Sequence, residues 1–217
     1  PVSVETFTTA ATLDEAITAL SEGALPVAGG TDLVVGARQG KAPLPERIVA
    51  IHRLEELRGV TETDGGVRLG ALATHAEIVA HPAVRTRLTA LADASAIVGS
   101  HATRAHGTIG GNVMNASPAM ETGGPLICFG ATATLRSAAG TRRVALEELF
   151  AGPGRTVAHD GELLVAIDVP EPAPGTGSCY ARLEYRRQME IAVVGVTAVV
   201  TLDGEKVTHA RIAITAL

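Results

Sequence analysis

Tryptophan is absent from the 217 residues, and aromatic side chains make up only 2% of them. A wall of stacking rings for single-stranded nucleic acid cannot be built from so few. A planar ligand would have to be held by backbone and aliphatic groups. Cysteine occurs twice, at Cys128 and Cys179, which is too few for an iron–sulfur cluster, a four-cysteine zinc site or a disulfide framework. Positive charge is also short. Eighteen Lys and Arg against 23 Asp and Glu give a net charge of -5, with no basic run to follow a phosphate backbone. The longest apolar stretch, residues 191–200, is broken by Gly195 and Thr197 and has half the ~20 residues of a bilayer span. The first residues lack the charged start and apolar run of a secretory signal, so the sequence reads as cytoplasmic. His75, His81, His101 and His106 show no H-E-x-x-H or similar spacing and read as surface or structural residues, so no metal is assigned.

Glycine, by contrast, is plentiful, with 24 residues. Residues 12–21 place Leu13, Ile17 and Leu20 at helical spacing, with Thr12 as N-cap and Glu15 as its capping-box partner. A short apolar strand over 24–28 then runs into Gly29 and Gly30, and residues 31–40 read as helix. Strands are expected at 47–51 and 67–72, and a helical pattern over 76–91 is interrupted by Pro82. Residues 99–125, dense in Gly, Asn, Ser, Thr and His, read as one long functional loop. A hairpin over 130–145, a helical turn at 146–150 and a strand over 162–169 follow. A proline and glycine linker, 171–177, leads to three antiparallel strands at 180–185, 191–202 and 207–215.

Two motifs carry chemistry. In PVAGGTDL, residues 26–33, paired glycines separate a strand from a helix start, so the backbone can take positive φ and leave amides open to an anion. In GTIGGNVMNASP, residues 107–118, a second glycine pair comes with Thr108, Asn112, Asn115 and Ser117 as donors, and Glu121 follows as an acceptor for ribose hydroxyls. Two such loops suggest one dinucleotide held between them. The competing fingerprints fail: there is no G-x-G-x-x-G after a strand, and residues 36–42 are one short of a P-loop and lack its Ser or Thr.

AGGTDL at 28–33, LGALATHAEI at 69–78, GTIGGN at 107–112, NASPAMET at 115–122, GELLVAIDVP at 161–170 and YARLEYRRQMEIAVVGV at 180–196 run in order through nearly the whole chain. With them the sequence resembles the FAD-binding medium subunit of molybdenum hydroxylases, the xanthine and carbon monoxide dehydrogenase family. The resemblance implies an α+β, two-lobed FAD-binding domain: an N-terminal α/β lobe (1–57), a second α+β lobe (58–170) and the start of a small C-terminal domain of antiparallel strands (171–217). Relatives usually continue further, whereas this sequence stops at Leu217, which reads as a trimmed chain, a fragment or a naturally short protein.

The resemblance also implies roles. Ala28, Gly29, Gly30, Thr31, Asp32 and Leu33 would wrap the FAD pyrophosphate through their amides, and Thr108, Ile109, Gly110, Gly111 and Asn112 would close on it from the other side. Asn115, Ser117 and Glu121 would lie toward the ribityl and ribose-phosphate region, and Leu164 would hold the adenine edge through its backbone. Arg182 would stand near the flavin, where relatives often have lysine, and Arg186, Arg187 and Ile191 in a loop beside the isoalloxazine. No catalytic acid or base is required. The sequence departs from the family at Glu121, often aspartate, and at residues 100–106, where SHATRAH keeps Arg104 but lacks the usual glutamine and asparagine.

The implied function is electron relay, with [2Fe-2S] clusters on a small subunit and molybdopterin on a large one, and FAD delivering electrons to NAD, dioxygen or a quinone. Two alternatives stay open at this point: a stand-alone FAD-dependent oxidase or dehydrogenase, and an FAD-less scaffolding relative that keeps the glycine loops as fold elements.

Overall fold

The computed structural model describes residues 4–40, 43–186 and 189–216. The N-terminal unit runs β1 (Thr6–Thr9), α1 (Leu13–Ser21), β2 (Leu25–Val27), α2 (Leu33–Arg38) and β3 (Arg47–Ala50). Its sheet has the order β1-β3-β2 with both pairings parallel. Helix α1 buries Ala16, Ile17 and Leu20 in one core with Val49, Leu54 and Leu57. The Thr12 hydroxyl accepts from the Glu15 N–H as expected, but the Glu15 carboxylate takes the Ala11 N–H, one residue before the cap. Helix α2 is shorter than the expected 31–40, because Gly30 turns the chain at φ +68° and Gly40 ends it at φ +69°. Strand β1 was not foreseen. Three of its four residues are threonine and all are exposed, so it carries no burial pattern.

A 3-10 turn at Glu55–Leu57 leads to the second unit. It contains β4 (Val60–Thr63), β5 (Gly66–Gly70), α3 (His75–Ala80), α4 (Pro82–Arg87), α5 (Thr89–Ala96), α6 (His101–His106), α7 (Ile109–Asn115), α8 (Gly123–Cys128), β6 (Thr132–Ser137), β7 (Gly140–Ala145), α9 (Leu146–Leu149), β8 (Phe150–Gly152), β9 (Arg155–Thr156) and β10 (Leu163–Pro170). Five strands form an antiparallel sheet of order β4-β5-β10-β6-β7. Leu69, Leu135 and Ile167 of this sheet share a core with Ile78, Leu91, Ile109 and Leu126 of the helices. Strand β10 shifts register between Leu164 and Ala166, and the Val165 carbonyl accepts from the Ala71 N–H at 3.0 Å.

The expected long loop over 99–125 is instead three short helices, α6 to α8. The polar residues that suggested a loop are partly caps: Ser100 accepts from Thr103 N–H and Thr108 from Gly111 N–H. Its glycines are partly contact points. A Cβ on Gly110 would stand 2.6 Å from the Ala71 carbonyl oxygen, and one on Gly124 2.7 Å from Thr197 Oγ1.

The last unit is an antiparallel sheet, β11 (Thr176–Leu183), β12 (Val194–Asp203) and β13 (Lys206–Thr215). Helices α5 and α8 pack against it, and Tyr180 and Val199 enter the second unit's core. Strand β11 starts inside the expected linker, and β12 starts at Val194, so Ile191 lies in the connection between them.

Candidate functional site

Two glycine loops meet at the seam between the first two units. The backbone N–H groups of Ala28, Gly29, Gly30, Thr31, Asp32 and Leu33 have no acceptor among the described residues. Six consecutive open donors in a part-exposed turn form a nest suited to an anion. In most turns such groups are satisfied within the protein.

The second loop is built differently. The segment after β5 runs antiparallel to it: the His75 N–H bonds Gly107 O at 3.1 Å, Ile109 N–H bonds Ala73 O at 2.9 Å and Gly110 N–H bonds Ala71 O at 2.9 Å. Gly111 N–H goes to Thr108 Oγ1 at 3.1 Å and Asn112 N–H to Thr108 O at 3.0 Å. The first-turn amides of α7, expected to close on a pyrophosphate, are therefore occupied by the protein itself. This loop offers the Thr108 N–H, which has no acceptor among the described residues, and side chains. Asn112 Oδ1 accepts from the fully buried Thr122 hydroxyl at 2.6 Å, which leaves the carboxamide NH2 as the group Asn112 can present.

The loops touch directly. A Cβ on Gly29 would lie 1.9 Å from the His106 carbonyl oxygen, and Thr31 Oγ1 comes within 3.5 Å of the place a Cβ on Gly107 would take. Glycine at 29 is thus a condition of the two loops closing together. The same seam holds a pocket of about 270 Å3, lined by Ala28, Gly29, Thr74 and Thr108 together with His52 and Arg58. That is below the roughly 300–1,000 Å3 of sites that engulf a whole small molecule, so it has room for only part of one.

The remaining expected residues fall into two groups. Asn115 is exposed at the end of α7, whose C-cap Ala116 takes φ +48°, and Ser117 Oγ accepts from the Ala119 N–H at 3.3 Å. Glu121 is buried and accepts from Arg182 Nη1 at 2.8 Å, while Arg182 Nε donates to Glu184 at 2.5 Å. Burial pushes the Glu121 carboxyl above its ordinary value, and the Arg182 guanidinium beside it opposes the rise. Glu121 and Arg182, given separate roles by the resemblance, are therefore partners of each other. The Asn112–Thr122 hydrogen bond ties this cluster to the second loop.

Leu164 points its side chain into the second unit's core and pairs its backbone with Leu135, while Leu163 and Val165 on either side face the first core with Leu72 and Ala28. Arg186 donates to Met189 O at 2.5 Å, and Ile191 is exposed. Arg187 lies outside the described residues.

Two residues close to these loops were not among the expected ones. His75 is 1% exposed, its Cδ2 lies 3.5 Å from the Cβ position of Gly107, and its Nδ1 has no partner among the described residues. Burial, and then the charge of Arg104, lower its pKa from 6.5 to about 4. The capping box of Thr74 and Glu77, both side chains engaged, was visible in sequence and would have placed His75 at a helix start. Arg58 sits on the connection after β3 and carries no motif of its own.

Open amides beside the Thr108 hydroxyl make a seam that can take an anion. Residues 3–172 match the family described as the FAD binding domain in molybdopterin dehydrogenase, and the chain belongs to that family. It is 33% identical over 171 residues to the carbon monoxide dehydrogenase medium chain of Hydrogenophaga pseudoflava, covering 79% of this chain but only 59% of that one. Identity to the xanthine dehydrogenase FAD-binding subunit of Escherichia coli O157:H7 is 31% over 208 residues, 94% of this chain and 71% of that one. Among solved structures, the carbon monoxide dehydrogenase of Hydrogenophaga pseudoflava lacking the Mo-pyranopterin moiety superposes with TM-score 0.93 at 30% identity, over 99% of this chain and 75% of that one. Quinoline 2-oxidoreductase from Pseudomonas putida 86 gives TM-score 0.91 at 27% identity, over 100% and 75%. Among the described residues no helix is long and apolar enough to cross a membrane.

Proposed function

We propose that this chain is the FAD-binding, electron-transferring part of a molybdenum-containing hydroxylase or dehydrogenase. It would take electrons from iron–sulfur clusters on a small partner subunit, with molybdopterin on a large one, and hand them to an external acceptor in the cytoplasm. The observation that carries the reading is the run of open amides at residues 28–33 pressed against the second glycine loop. Hydrogen bonds to a charged partner contribute roughly 1.5–3 kcal/mol each, so a few of them anchor a pyrophosphate.

When bound, FAD supplies the redox chemistry of its isoalloxazine ring. The chain's own groups bind and orient. Ala28 to Leu33 hold the pyrophosphate, Thr108 and Asn112 donate from the facing side, and Ile109, Gly110 and Gly111 shape the wall behind them. Asn115 and Ser117 serve the ribityl side and the Leu164 backbone the adenine edge. Arg182 sets the charge on the flavin side, balanced by Glu121 and Glu184. No side chain has to move a proton. The division into lobes 1–57 and 58–170 followed by 171–217 is part of the proposal, motivated by the three principal sheets. Partner subunits are supported by the cysteine count, since Cys128 and Cys179 cannot carry a cluster, and by relatives described as medium chains and FAD-binding subunits.

The test is an absorbance spectrum of the purified chain before and after heat release, with the released compound identified. A flavin spectrum and FAD in the supernatant are expected. A colourless chain that takes up no added FAD removes the reading, and reduction of the flavin by a small organic substrate without partners would favour a stand-alone flavoenzyme.

A further inference from the structure

The loops account for hydrogen bonding to a pyrophosphate but not for its charge. The one charged side chain of the first loop, Asp32, has the wrong sign, and Arg182 is committed to Glu121 and Glu184. We propose that Arg58 is the cation that pairs with the phosphates of FAD at the seam of the two units, an inference that rests on the FAD reading above. Arg58 lines the same pocket as Ala28, Gly29, Thr74 and Thr108, residues of both loops and of the segment between them.

Its backbone is pinned there. The Leu72 N–H bonds Leu57 O at 2.7 Å and the Gly70 N–H bonds Gly59 O at 2.9 Å, one on each side of Arg58, which clamps the turn against the end of β5. The side chain is exposed and oriented by two contacts, Nη2 to the His52 carbonyl and Nε to Glu55 at 3.2 Å. Nη1 has no partner among the described residues. A guanidinium held by two of its nitrogens, on a residue that lines the pocket together with Ala28 and Gly29, can offer its third nitrogen to an anionic oxygen. Glu55 is the competing anion. It is exposed, so its hold on Arg58 is weak and can be exchanged for a phosphate.

The probes are FAD and ADP, titrated into the flavin-free full chain by fluorescence quenching and calorimetry at low and high salt. Arg58→Gln is expected to weaken both about tenfold and to flatten the salt dependence, while Glu55→Gln tightens both by roughly twofold to threefold. Thermal melts of both variants should match the parent, since neither side chain is buried. Unchanged FAD and ADP affinities in Arg58→Gln would overturn the assignment while leaving the FAD reading intact. A parent chain that binds ADP through Arg58 but takes up no FAD would keep the anion subsite and defeat the FAD reading instead.

Discussion

Lowering the pH from 7 to 4 should destabilise the chain through one buried imidazole, and His75→Gln should remove that part of the slope. His75 is 1% exposed, and burial first, then Arg104, hold its pKa at about 4 against an ordinary 6.5. Between those values the unfolded chain binds a proton that the folded chain does not, so unfolding gains as pH falls. The stabilisation is complete above pH 6.5 and is lost by about pH 4. At about 1.4 kcal/mol per pH unit, the gap from 6.5 to 4 is worth roughly 3 kcal/mol, a large fraction of the ~5–15 kcal/mol that holds a domain folded. Urea melts at pH 7, 6, 5 and 4 on parent and variant provide the assay. Carboxylates such as Glu121 and Glu162 titrate in both proteins, so the difference between the two curves isolates the imidazole. That difference should shift by roughly 3 kcal/mol in the variant's favour between pH 7 and pH 4. Parallel curves would refute the reasoning. Arg104→Gln, which removes the second cause, should raise the imidazole pKa in an NMR titration.

Gly29→Ala puts a methyl group 1.9 Å from the His106 carbonyl oxygen, so the loops must part. FAD retention on gel filtration should be lost, with a stability cost of about 1–3 kcal/mol in thermal melts. Thr122→Val removes the hydroxyl that fixes Asn112, leaving its carbonyl without a donor. It should cost about 1–2 kcal/mol in urea melts and loosen FAD binding by fluorescence titration, and a variant as tight as the parent would show that Asn112 does not face the ligand. Arg182→Met leaves Glu121 and Glu184 without their shared cation and should cost about 3–5 kcal/mol. Adding Glu121→Gln to it should recover part of that loss, and a purely additive double variant in urea melts would contradict the coupling.

The fold was legible where one element buries one face. Leu13, Ile17 and Leu20 announced α1, Thr12 announced its cap, and the strand patterns at Leu163–Pro170 and Lys206–Thr215 lie close to their expected positions. It was not legible where burial comes from elsewhere. Strand β1 is exposed and held by its parallel pairing with β3, a contact across some 40 residues of sequence. Helices α6 to α8 read as loop because glycine and threonine have poor helix propensity. Their stability comes from caps at Ser100 and Thr108 and from the close approach that Gly110 and Gly124 allow. Propensity was overruled by packing.

In the site, sequence indicated which loops meet but not how their labour divides. The two glycine pairs look alike in one dimension, and the difference between them is made by what docks alongside. Ala71 and Ala73 lend their carbonyls to Gly110 and Ile109, and Thr108 caps the next two amides, so of residues 108–112 only the Thr108 N–H stays open among the described residues. Among the described residues no segment lends its carbonyls to residues 28–33 in the same way, so their donors stay open. Burying six unpaired N–H groups would cost about 1–3 kcal/mol each, and the loop avoids this by being part-exposed. An anion that fills the seam therefore gains the hydrogen bonds without first breaking any that the protein makes. The same loop satisfied from within would have to unmake its own structure to bind, and its affinity would be lower by that cost.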